Sequence, residues 1–108
     1  MASTEASATP GALPGAPQSL TAATSSTKGV VLTWTVGTNP GSTYMVYRGT
    51  RSGGETLYKT YTCNAATGSK CTFNDTNTKS RTVYYYKVAS QNSVGTGPLS
   101  NEASAKAR

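Results

Sequence analysis

The chain has 108 residues, a formal net charge of +6, only 13% charged residues, two cysteines and no histidine. That length holds one domain with a modest core and leaves little room for a buried active site beside it. Without histidine the commonest general base is missing, and two thiols alone leave a zinc site half built, so neither a metal nor a cofactor is expected.

Residues 1–16 are almost wholly Ala, Ser, Thr, Pro and Gly with no apolar period, the composition of an extended arm or linker. The domain is expected over 17–108. No run is apolar for long enough to cross a bilayer. The N-terminus also lacks the basic-then-hydrophobic layout of a signal peptide, so the chain reads as a fragment or as a protein exported by another route.

Seven strands are predicted beyond the arm, each bounded by turn residues. The first covers 18–23, after Pro17. The second covers 29–35, where Val30, Leu32 and Trp34 share a face and the single tryptophan is the natural plug between two sheets. The third covers 43–48, after the turn Asn39-Pro40-Gly41, with Tyr44 and Val46 inward and Met45 and Tyr47 outward. The fourth covers 56–62 and the fifth 70–74, the latter carrying Cys71 and Phe73. The sixth, 83–92, is rich in β-branched and aromatic residues. Its alternation places Tyr84, Tyr86, Val88 and Ser90 on one face and Tyr85, Lys87, Ala89 and Gln91 on the other. A glycine-containing turn then leads to a broken last strand over 98–105 at a sheet edge. No helical period survives, and the expected fold is an all-β, seven-stranded antiparallel β-sandwich of the immunoglobulin type.

Cys63 and Cys71 flank a loop-like stretch containing Asn64, Thr67 and Gly68, which lets their Cβ atoms approach within bonding reach. A disulfide is expected, with an oxidising exterior as its corollary; two reduced, partly buried thiols are the alternative. The basic residues are spread singly along the chain with no recognition helix, so no specific nucleic-acid partner is expected. The acids Glu5, Glu55, Asp75 and Glu102 fall in the arm or on different predicted loops and strands, and no pair faces across a cleft as a glycosidase requires. No enzyme activity is expected.

From Pro17 to Ala105 the chain resembles a fibronectin type III domain. The resemblance rests on Pro17-x-x-Leu20, Leu32-x-Trp34, Tyr44-x-Val46-Tyr47-Arg48, Tyr84-x-Tyr86-x-Val88, Gly95-x-Gly97, Ser100-Asn101-Glu102 and Ala105. The stretch 46–55 is similar to bacterial members attached to secreted polysaccharide-degrading enzymes. The resemblance implies that Tyr84 forms a tyrosine corner, its hydroxyl meeting backbone just upstream. It also implies that the third and sixth strands are neighbours, which gathers Met45, Tyr47, Tyr85 and Lys87 into one outward patch. Two departures stand out: residues 76–80 replace the usual leucine before the corner, and the cysteine pair is not a family hallmark.

Tyrosines on a flat sheet stack on sugar rings or anchor a protein, so this patch is the candidate binding surface for a protein or polysaccharide partner. The alternative is that these aromatics only cover their cross-strand neighbours. Loops 35–42, 49–55 and 92–98 are rival contact sites. The function expected is a non-catalytic extracellular module that spaces or attaches its assembly to a surface. The alternative is a self-contained virion structural protein, such as a phage capsid or tail decoration, docked through its N-terminal arm.

Overall fold

The structure is a computed structural model and describes residues 12–108. Eight strands run in chain order: β1 Gln18–Thr24, β2 Val30–Thr35, β3 Thr43–Gly49, β4 Thr56–Thr62, β5 Lys70–Asp75, β6 Val83–Gln91, β7 Thr96–Leu99 and β8 Ala103–Lys106. They form a three-stranded sheet, β1-β2-β5, and a five-stranded sheet in which β4, β3 and β6 are followed by β7 and β8. All pairs are antiparallel. The predicted all-β sandwich is therefore the fold.

The count of eight rather than seven comes from the last strand, which is split. β7 and β8 both pair with β6, at its two ends. Between them Ser100 stays on β6, its amide donating to the Val88 carbonyl and its hydroxyl accepting the Val88 amide. Asn101 turns away to the other sheet. Its side chain accepts the Leu20 amide and donates to the Leu20 carbonyl on β1, so the break clips the two layers together.

Alternation builds the core. β2 reads buried, half-buried, buried along its length, with Val30, Leu32 and Trp34 inward. Tyr44 and Val46 of β3, with Tyr84, Tyr86 and Val88 of β6, answer from the other sheet. Trp34, 1% exposed, lies 5.3 Å from Tyr44 and 6.1 Å from Tyr61 between ring centroids. It belongs to the three-stranded sheet and packs on the five-stranded one. A buried aromatic contact of this size is the largest single apolar link available to so small a core.

Two further links cross the layers. Cys63, just past the end of β4, is disulfide-bonded to Cys71 of β5, the cross-strand partner of Trp34. Near the other end, Arg48 of β3 meets Asp75 of β5 at 2.9 Å. Asp75, 1% exposed, also accepts hydrogen bonds from the hydroxyls of Tyr58 and Tyr86. A buried carboxylate without donors is costly, and these three supply them. The Arg48 guanidinium stacks 3.8 Å from the ring centre of Tyr58 and 4.7 Å from that of Tyr84. Burial pulls the Arg48 pKa down, but the Asp75 hydrogen bond and charge, with the Tyr58 and Tyr86 hydroxyls, leave it raised on balance, while burial chiefly pushes the Tyr86 and Tyr58 hydroxyls upward.

Of the expected arm 1–16, residues 1–11 lie outside the described residues. Residues 12–16 lie against the sandwich: Pro14 is buried, the Gly15 amide donates to the Thr38 carbonyl, and Asn92 donates to the Ala12 carbonyl. Gly97 lets this segment approach, since a Cβ there would stand 2.0 Å from the Pro14 carbonyl oxygen.

Candidate functional site

Pairing of β3 with β6 sets the outer face of the five-stranded sheet. Tyr47 stands opposite Lys87, Met45 opposite Ala89, and Tyr85 opposite Gly49. Met45, Tyr47, Tyr85 and Lys87 therefore share one face, and all four are half-buried. Ala89 has the same parity yet is fully buried, because its cross-strand neighbours are Met45 and Leu99. A small side chain between two long ones disappears beneath them.

The register adds residues that periodicity alone did not reveal. Leu57 stands opposite Tyr47 and is 53% exposed, and Leu99, opposite Ala89, is also exposed. The outer face thus carries an apolar and aromatic band across β4, β3, β6 and β7. A bulge in β4 between the partners of Val46 and Tyr47 turns Tyr58 toward Asp75 while leaving Leu57 outside.

The loop 49–55 folds across one end of this face. Glu102, at the break between β7 and β8, accepts the Ser52 hydroxyl at 2.7 Å and the Gly53 amide at 2.9 Å. Glu55 comes to the same place. Its side chain is 3% exposed and lies 3.9 Å from the Lys87 ammonium. Contact with Glu55, then the Ser52 and Gly53 donors, hold the Glu102 carboxyl at about 2. Burial, then the neighbouring Glu102, push Glu55 above the usual carboxylate range. Two acids expected on separate elements thus meet on one face. Glu102 is engaged by the loop and Glu55 by Lys87. Lys87 is accordingly a neutralised member of the patch.

Among the other residues singled out, Trp34 is the buried wedge described above. The Tyr84 hydroxyl accepts the Lys79 amide, five residues upstream. The segments 40–43 and 91–93 line an open polar groove of about 430 Å³ at the end where residues 12–16 pack. No group of three or more potential metal ligands occurs among the described residues.

Sequence reasoning missed Arg48 and Asp75 as partners. Arg48 shares the inward parity of Tyr44 and Val46, and an inward cation demands a carboxylate; that was the available signal. It also missed a spatial grouping of charge. Lys28, Lys79, Arg81, Lys106 and Arg108, far apart in sequence, are all exposed at one end of the sandwich.

No family model and no curated protein matches the sequence. Solved structures do. A Fn3-like protein from Clostridium thermocellum is similar at 30% identity over 86% of this chain and 92% of that one, with a TM-score of 0.68. The chicken CNTN1 FN1-FN3 domains match at 22% identity and a TM-score of 0.64, over 86% of this chain and 32% of theirs. The 6th fibronectin type III domain from human fibronectin type III domain containing protein 3 matches at 19% identity and a TM-score of 0.53, over 92% and 87%. The last two speak to the fold alone.

Proposed function

Because the chain belongs to the fibronectin type III family, we propose that it is a non-catalytic extracellular module that attaches or spaces its assembly at a surface, as an accessory domain of a secreted bacterial polysaccharide-degrading enzyme. The observation that carries this reading is the outer face of the five-stranded sheet. Tyr47 and Tyr85 lie there half-exposed beside Met45, with Leu57 and Leu99 extending the band. A flat aromatic face suits stacking on the rings of an insoluble polysaccharide. Similarity to a bacterial Fn3-like protein supports the bacterial setting, and the Cys63–Cys71 disulfide suits an oxidising exterior.

The test is retention on insoluble polysaccharides such as cellulose and chitin. The wild-type chain should be depleted from solution, and the Tyr47→Ala/Tyr85→Ala variant should lose at least about tenfold in retention, as truncation of two aromatic anchors implies. Equal retention of a folded double variant would end the assignment of this face.

A further inference from the structure

The grouping of cations has a structural cause. The Gly29 and Arg108 amides each donate to the other's carbonyl, at 3.3 and 3.2 Å. Arg81 donates to the Ala107 carbonyl and the Ala107 amide donates to that of Thr82, both at 2.8 Å. These bonds tie the β1–β2 turn, the β5–β6 turn and residues 106–108 into one junction. Lys28, Lys79, Arg81 and Lys106 are exposed on it, Arg108 is exposed but donates from Nε to the Ser25 carbonyl at 2.7 Å, and Arg51 lies on the neighbouring β3–β4 loop at the same end. Lys70 stands at the other end.

Like charges brought together are unfavourable unless something neutralises them. Neither ion pair among the described residues involves any of the five. Asp75, at the β5 terminus, is buried and occupied by Arg48, Tyr58 and Tyr86. Glu55 and Glu102 are engaged with Lys87 and the 49–55 loop. Arg81 adds backbone strain: it has φ 65°, where a non-glycine residue is unfavourable, in a turn closed by the Thr82 amide on the Lys79 carbonyl.

We infer that this basic end is a docking surface for the acidic phospholipid headgroups of a bilayer. The five cations come from three separate chain segments and cover an end of the sandwich, which presents a plate to a planar array of phosphates. The polar groove lined by 40–43 and 91–93 is at the opposite end. Tyr84 is buried, Tyr85 turns onto the outer face of the sheet, and Val83, 38% exposed, is the large apolar side chain nearby. Binding would therefore be electrostatic, without insertion. This end-on mode would place residues 12–16 on the side away from the membrane. It involves neither Tyr47 nor Tyr85, so it stands independently of the outer-face reading.

The experiment is co-sedimentation of the full chain at low salt with equimolar phosphatidylglycerol and phosphatidylcholine vesicles, against phosphatidylcholine alone. The chain should bind the acidic vesicles and release them as salt rises. Each lysine near such a surface contributes about fivefold, so Lys28→Gln/Lys106→Gln should weaken binding roughly 25-fold. Lys59→Gln/Lys70→Gln, with the same charge removed elsewhere, should change it less than about threefold. Were the first variant not to fold, Lys79→Gln alone should lose about fivefold. Equal losses in the two double variants would reduce the effect to net charge and overturn the proposal. Absence of vesicle binding would do the same, including where soluble dextran sulfate is still captured.

Discussion

Tyr84, Tyr85 and Tyr86 are consecutive in β6 and serve opposite sides of the sheet. Tyr84 and Tyr86 point inward, where both are buried and both hydroxyls are satisfied, by the Lys79 amide and by Asp75. Tyr85 points outward, half-exposed in a band of apolar and aromatic side chains. The same residue type is thus structural or available according to parity alone. The inner face is specified by polar partners contributed from distant strands. On the outer face Lys87 finds such a partner, in Glu55, while Tyr47 and Tyr85 stand half-exposed.

That contrast can be attacked at the inner face first. Asp75→Ala removes the acceptor of Arg48, Tyr58 and Tyr86 together, leaving a part-buried guanidinium and two hydroxyls without their partner. The expected loss is about 3–5 kcal/mol in chemical denaturation, the range for breaking one side of a buried pair. A loss below about 1 kcal/mol would mean the cluster is only a surface ion pair. Next comes the disulfide. Cys63 and Cys71 are eight residues apart, so Cys63→Ser/Cys71→Ser should cost about 2–3 kcal/mol in the chain-entropy account, with its effect centred on the Trp34 end.

The smallest effect sharpens the outer face. Glu102, its pKa lowered to about 2, favours the folded loop above the normal carboxylate pKa, and this contribution is lost as pH falls toward 2. Glu55, raised, acts with the opposite sign: its contribution is complete below the normal carboxylate pKa and is lost as pH rises through its elevated value. The two oppose each other, so global stability should change little while the loop responds. The Gly53 amide chemical shift, followed by NMR, should titrate near pH 2 with Glu102. A titration in the ordinary carboxylate range would mean that the loop is not clamped.

Much of this was legible in the chain. Period-two alternation in β2, β3 and β6 assigns Trp34, Tyr44, Val46 and Tyr86 to the core, because side-chain direction in a strand is a local property. It also places Met45, Tyr47, Tyr85 and Lys87 on one face once β3 and β6 are adjacent. Alternation does not say which inward residue meets which. Arg48 finds Asp75 across the sheets, and Glu55 finds Glu102 because a loop and a strand break lie on the same face; both contacts follow from strand order. The basic end has the same origin, since Lys28, Lys79 and Arg108 are neighbours only after three chain segments close on one another. The split of the last strand was half visible, as a broken strand whose interruption turned out to be Asn101 reaching for Leu20 on β1.

The central claim is that neighbouring tyrosines on β6 divide between holding the fold and offering a surface, and Tyr85→Ala set beside Tyr86→Ala tests it most directly. Thermal unfolding and retention on an insoluble polysaccharide would be measured for both. The account predicts that Tyr86→Ala loses about 3–5 kcal/mol of stability. It predicts that Tyr85→Ala loses less than about 1 kcal/mol yet gives up most of its retention. A Tyr85→Ala variant that is as destabilised as Tyr86→Ala, or that binds like the unaltered chain, would contradict it.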